Sequence, residues 1–389
     1  MKKKCCITLD DIFYGLLILM CITTLFQSYI TFINKMIMGI VVFVGMLSEC
    51  KCLKKKAFLV YANFFIALGI AILQSDLHML KNGGERSVYY FVFILIYVKS
   101  LSHFDKLKEY FIKRKKYIKT VINIWSILVG ISIFLPSSYM TNDNWGATMY
   151  FRSYTLEGNG RIAAIALLVV SIVTLENVIT KNKKWLLYYI IPSYCVLMSG
   201  ARGYSVPWIF MLLIALYVYI NNPKKFTQLV IPFVALMILF LVNSSMGDKF
   251  LHRMSQKTAL SKIDTVTGGR WTPLVLCWNY FWKSSLLHKL FGNGFYAMET
   301  LIKTWSFNDF ADIVITYGVI GLLPYIYSIK QYIIFIKRTH INKIIYYCLI
   351  GIWLFLAMTD LYYRTPVLIF SNIILLISCE YLSEKGKLK

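Results

Sequence analysis

The sequence predicts an all-α, polytopic integral membrane protein of about twelve transmembrane helices, and three observations predict it. The 389 residues are 58% hydrophobic and only 15% charged, with a mean hydropathy of +0.62; soluble domains are about half apolar and a quarter charged. Apolar runs that can cross a hydrocarbon core of about 30 Å recur from one end of the chain to the other. Lysines and arginines gather in alternate connections between those runs, as they do in polytopic proteins.

Taken in order, the runs cover residues 12–30, 36–49, 57–74, 87–104, 120–136, 160–180, 185–199, 204–220, 226–243, 309–330, 344–359 and 365–380. The second and seventh are the shortest, at 14 and 15 residues. The first has no small-residue cleavage site and reads as a retained signal anchor. The chain is one polytopic domain over residues 1–389, interrupted by a long segment at 244–308 between the ninth and tenth runs.

A net charge of +24 would suit a nucleic-acid binder, but its distribution argues otherwise. Over half of the 42 basic residues lie in "MKKK", "KCLKKK", "KLKEYFIKRKKYIK", "KNKK", "NNPKK", "KRTHINK" and "SEKGKLK". The positive-inside rule places these segments, and both termini, in the cytoplasm, and makes 244–308 external. Attraction to anionic lipid accounts for the lysines, and no nucleic-acid partner is expected. Of nine cysteines only Cys277 falls outside, so no disulfide framework is expected. Cys50-Lys51-Cys52 lacks the second ligand pair of a zinc site, and no metal site or cofactor is expected.

The chemistry then has to lie in the outer connections. The long loop carries tryptophans at 271, 278, 282 and 305, and "WTPLVLCWNYFWKSSLLHKL" spaces its apolar residues as an interfacial helix does. "FGNGFY" ends that helix, with Gly292 and Gly294 making the turn. Arginine, scarce inside, is concentrated outside: Arg86, Arg152, Arg161, Arg202, Arg253, Arg270 and Arg364. A guanidinium grips phosphate oxygens through two parallel bonds, which an ammonium cannot do. Arg86 and Arg364 read as residues snorkelling to the interface. Arg202 in "SGARG" and Arg270 in "GGRW" sit among glycines that let a bulky anion approach the backbone, and read as anion ligands.

Together these features resemble the O-antigen polymerase and ligase superfamily: twelve runs, the loop between the ninth and tenth, "SGARG" after the seventh, then "GGRW", "LFGNGF" and "NDFADIVITYGVIGLLPY" in order. The motifs cover about residues 150 to 330, and the layout of runs alone covers the rest. The resemblance implies a membrane-embedded, metal-independent C-type glycosyltransferase, with its site at the outer face of the bacterial cytoplasmic membrane. It would act on glycans carried by undecaprenyl diphosphate as donor and acceptor, with the bilayer and a chain-length regulator as further partners. It carries diphosphate-binding roles to Arg202 and Arg270. It also matches Arg152 and Gly158-Asn159-Gly160-Arg161 to a substrate-binding turn, Arg-…-Gly-Asn-Pro-Asn, from which this chain departs: Gly160 replaces the proline and Arg161 the second asparagine.

Ligases of this superfamily place a histidine just before the asparagine that opens the tenth span; here that position is Phe307. The resemblance therefore favours a polymerase, which moves the growing glycan onto the next lipid-linked repeat. A ligase with another acceptor is one alternative. A flippase or transporter is the other, disfavoured by spans with few interior charges. Asp309 becomes the candidate base, with Asn308 and Asp312 beside it as substrate-binding candidates. Asp309 and Asp312 share a helical face, and Asp309 reads equally well as a helix-terminal carboxylate facing the dipole.

Overall fold

The structure is a computed structural model. It describes the chain outside residues 1–7, 24–30, 51–54, 141–149, 152–158, 181–187, 200–201, 221–223, most of 227–268, 305–306, 339–340, 342 and 388–389. Apart from one two-residue antiparallel pairing, Tyr139 with Phe151 and Met140 with Tyr150, its regular structure is helical. The helices are α1 (Leu9–Thr23), α2 (Thr31–Cys50), α3 (Lys55–Leu73), α4 (Leu77–Ser102), α5 (Phe104–Lys113), α6 (Lys115–Ile133), α7 (Asn159–Thr180), α8 (Ile190–Met198), α9 (Ser205–Ile220), α10 (Trp271–Lys283), α11 (Leu286–Phe291), α12 (Asp309–Arg338), α13 (Lys343–Thr359) and α14 (Pro366–Lys387).

A described helix lies over eleven of the twelve apolar runs; the run at 226–243 falls largely outside the described residues. Among the described residues five helices, α2, α6, α7, α12 and α14, are long and apolar enough to cross a membrane, and three shorter apolar helices lie in α3, α9 and α13. α4 and α5, taken together, make a sixth, bent by 88°. The chain is thus a helical, membrane-embedded protein.

At the centre α7 packs along α14. Both are apolar on every side, as a helix surrounded by other helices must be. Apolar surface gains little by leaving lipid for protein, so close packing has to hold such a pair. Small residues allow it: Ala163, Ala164, Ala166 and Ser171 on α7, Ser371 and Ser378 on α14, all buried. α4 runs through the core with an unbroken buried stretch from Tyr90 to Ser100. α2, α3 and α6 are peripheral and expose Phe43, Phe58, Phe65 and Ile127, a face suited to lipid. Fully buried Lys99 joins three helices: its Nζ lies 2.7 Å from Asp10 of α1 and 3.5 Å from Glu49 of α2.

Two sequence expectations are corrected. The basic stretch after α4, taken as a loop, is helical: Phe104, Leu107, Tyr110 and Phe111 bury one face of α5 while its charges point away. That is the spacing of an amphipathic helix. The single interfacial helix expected over 271–290 is two, because Ser285 accepts a bond from the His288 N–H and starts α11 afresh.

Candidate functional site

The end of the long loop is clamped onto α12 by a break in that helix. Gly318 has φ 71° and ψ −175°, outside the helical range, which divides α12 into Asp309–Tyr317 and a longer second part. The carbonyls freed by the break are satisfied by "FGNGF": Asn293 N–H donates to Ile315 O at 2.9 Å and Gly294 N–H to Thr316 O at 3.2 Å. The Asn293 amide adds a second bond to Ile315 O at 3.1 Å. Gly292 and Gly294 have φ of 84° and 85°, so they make the expected turn. On the other side the Phe295 N–H donates to Ser75 Oγ at 2.7 Å. Arg86 pairs with Glu299 through both guanidinium nitrogens and lies 5.2 Å from the Tyr296 ring centroid. The snorkelling role expected of Arg86 is corrected: it ties α4 to the loop, because a partly buried guanidinium needs a carboxylate.

The first part of α12 carries the acidic pair. Its cap is Asn308, whose Oδ1 accepts from the Ala311 N–H at 3.0 Å. That leaves the Asp309 carboxylate for other partners: the Tyr325 hydroxyl at 2.7 Å and the Tyr363 N–H at 3.3 Å. Trp353 Nε1 donates to the Tyr325 oxygen at 3.2 Å, extending the chain to α13. Asp312, one turn on, accepts from the Tyr363 hydroxyl and from Arg364, whose Nε donates to the same hydroxyl at 2.9 Å. Tyr363 therefore reaches both carboxylates, one through its backbone and one through its phenol. Both carboxylates are sealed from solvent, at 0% and 1% exposure. Arg364, expected to snorkel, is instead their counter-ion. Burial by itself would lower the Arg364 pKa, but the Asp312 charge outweighs it and holds the guanidinium more firmly charged than usual. Burial, the first cause, also pushes the Tyr363 phenol well above its ordinary range.

The two arginine motifs come together. Arg202 opens the short 3-10 turn Arg202–Tyr204 ahead of α9. Half-buried Arg270 reaches this turn: its Nη2 lies 3.8 Å from where a Cβ on Gly203 would stand, and Thr359 Oγ1 lies 3.7 Å from the same point. The Arg270 guanidinium sits 5.2 Å from the Phe307 ring centroid, two residues before Asp309. Tyr204, buried, lies close to Asp360. Asn159 and Arg161 lie in the first turn of α7. Arg152, and the side chains of Asn159, Arg161 and Arg202, fall outside the described residues.

Beside this cluster an apolar groove of about 630 Å³ runs between α10 and the start of α12. Trp271, Trp278 and Phe281 line one wall, and Phe310, Val314 and Leu322 the other, with Asn308 and Met358 at one end. It begins one residue after Arg270. Among the described residues no three His, Cys, Asp or Glu side chains gather as metal ligands. Charge-assisted binding of an anion by arginine, and proton transfer to a carboxylate, are the chemistry this arrangement can supply.

No family model matches the chain, and no curated protein matches it either.

Sequence reasoning missed Tyr204, Tyr325, Asp360 and Tyr363, and misjudged Arg364. The signal available was "TDLYYR", an acid and an arginine within five residues at a helix end. Its partners lie in the 3-10 turn ahead of α9 and on α12, and are set by packing alone.

Proposed function

We propose that the protein is a polymerase of lipid-diphosphate-linked oligosaccharide repeat units, acting at the outer face of a bacterial cytoplasmic membrane through a twelve-span architecture with both termini inside. The observation that carries this reading is the meeting of two glycine-flanked arginine segments, far apart in sequence, beside an apolar groove and a buried acidic pair. A polyprenyl diphosphate is apolar for most of its length and doubly anionic at one end. The groove suits the first part and the arginines the second.

In this reading Arg202 and Arg270 hold the diphosphate, and Arg152, Arg161, Asn159, Asn308 and Asp312 contribute to glycan binding. The hydroxyl oxygen of the acceptor sugar attacks the anomeric carbon of the donor, and the anomeric carbon–oxygen bond to the diphosphate breaks. The arginines stabilise the charge left on the diphosphate. The acceptor's proton passes to Asp309. Because that carboxylate is sealed by Tyr363 and Tyr325, the reaction requires the Tyr362–Arg364 turn to withdraw first. Asp312 and Arg364, paired behind it, set the position of that turn.

Deleting the gene tests the reading. The expected result is single repeat units on lipid or core, restored to a ladder of lengths by the gene in trans. An unchanged ladder in the deletion strain overturns it. Loss of all glycan attachment, with polymer accumulating on the lipid carrier, identifies a ligase instead.

A further inference from the structure

A second groove lies at the opposite end of α12, remote from the cluster above, and the polymerase reading makes no use of it. It has a volume of about 560 Å³ and is walled by the start of α3, the end of α4 and the last three turns of α12. The α12 wall is Tyr327, Gln331, Ile334, Phe335 and Arg338, which share one helical face. Lys55 stands at the first residue of α3 and Ser102 at the last of α4. The ends of all three helices thus meet here, with Lys55 of α3 and Arg338 of α12 as the basic residues. From Arg338 back to Tyr327 the wall extends about 16 Å along the helix, at 1.5 Å per residue.

The lining is graded by chemistry. Lys55 and Arg338, both exposed, mark the mouth, and Val98, Leu101, Ile334 and Phe335 supply apolar wall. Among the described residues no carboxylate lines the groove. Lys55, Gln331 and Arg338 make no hydrogen bond or ion pair with another described residue. The first acid in sequence after α4, Asp105, lies on α5, outside the lining. Two cations at the rim of a slot with apolar walls match a molecule with an anionic head and an apolar body.

We propose that this groove is a binding site for an anionic phospholipid of the adjoining leaflet. Lys55 and Arg338 take the headgroup phosphate, and the wall of Val98, Leu101, Ile334 and Phe335 takes the first part of an acyl chain. Arginine suits the phosphate through its fork of donors, and lysine as a point charge beside it.

The test is native mass spectrometry of the full-length protein, released from nanodiscs of mixed phosphatidylglycerol and phosphatidylcholine. Wild type should retain phosphatidylglycerol preferentially. Lys55→Gln with Arg338→Gln should cut that preference roughly ten- to thirty-fold, given the attraction each basic residue adds at an anionic surface. A charge-matched control, Lys116→Gln with Lys343→Gln, alters exposed residues outside the groove and should leave the preference within about twofold of wild type. Equal losses in the two double variants would reduce the effect to general surface charge and overturn the site. Displacement of the lipid by inorganic phosphate at millimolar concentration would make this a free-anion site and overturn the lipid assignment.

Discussion

Gly292 and Gly318 stand back to back: a Cβ on either would lie within 2.7 Å of the other's backbone nitrogen. It would also meet a carbonyl oxygen, Thr316 O at 2.3 Å in one case and Leu290 O at 2.2 Å in the other. Each residue has a positive φ with ψ near 180°, a region open almost only to glycine. The long loop is thereby fixed to the half of α12 that carries Asp309 and Asp312. The two halves of the candidate site are held in register by backbone contact.

Gly292→Ala and Gly318→Ala should therefore each destabilise the fold. Backbone strain of about 1–3 kcal/mol adds to overpacking of about 1–3 kcal/mol. Melting in detergent, followed by tryptophan fluorescence, is the measurement. Gly69→Ala is the comparison, since Gly69 lies mid-helix with open space around its Cβ position and alanine there gains up to about 1 kcal/mol of helix propensity. Three variants melting together would show that the glycine contact does not pin the loop.

A second prediction follows from Arg364. Asp312 is fully buried, so Arg364→Gln leaves a carboxylate without its counter-ion, a loss of about 3–5 kcal/mol for buried pairs. Arg364→Lys keeps the charge but loses the Nε bond to Tyr363, and should fall between wild type and Arg364→Gln. Adding Asp312→Asn to Arg364→Gln should recover part of the loss, because the stranded charge is removed. An interfacial anchor behaves differently: lysine would replace arginine there with no change in melting temperature.

Asp309→Asn separates structure from chemistry. Helix capping belongs to Asn308, so Asn308→Ala should cost about 1 kcal/mol. Asp309→Asn leaves that cap intact, and asparagine can still accept from Tyr325 or Tyr363 through its remaining oxygen. If Asp309 takes the acceptor's proton, the asparagine variant reaches normal membrane levels and yields single repeats in place of a ladder. The loss attributable to a general base is about 10²- to 10⁴-fold. A normal ladder from this variant removes Asp309 from the chemistry and leaves it as a brace for the Tyr363 turn.

These residues also show what the sequence could and could not reveal. Helix positions were legible because the length of an apolar run is set by a thickness external to the protein. The "FGNGF" turn was legible because glycine is the residue that tolerates its angles. α5 was legible in principle, since Phe104, Leu107, Tyr110 and Phe111 carry a helical period. The surrounding lysines led to a loop reading because charge density was weighed above spacing. Partnerships were not legible. Arg86 with Glu299, Arg364 with Asp312, and Lys99 with Asp10 each join residues at least 50 positions apart, and no local pattern distinguishes a buried pair from an interfacial charge. The meeting of Arg270 with the turn at Gly203 belongs to the same class: each glycine-flanked arginine stood out alone, and their proximity needed the fold.

The last prediction concerns those two arginines. Arg270 lies against Phe307 and reaches the turn that begins at Arg202, so a diphosphate there would meet planar donors from two segments. Lysine preserves the charge at either position, and with it insertion and long-range attraction. It loses the paired donors and the planar face against the Phe307 ring. If the arginines bind the diphosphate through both nitrogens, Arg202→Lys and Arg270→Lys should each reduce chain extension at least tenfold. The basis is the loss of about 10²- to 10³-fold that follows removal of one donor to a developing charge, lessened by the charge that lysine retains. Membrane level and melting temperature should stay at the wild-type values, because lysine keeps the positive charge at both positions. Combining the two changes should give less than the product of the single losses, since both act on one anion. Extension at the wild-type rate from the double lysine variant would show that charge alone suffices. In that case the two arginines are electrostatic anchors for the loop, and the diphosphate is held elsewhere.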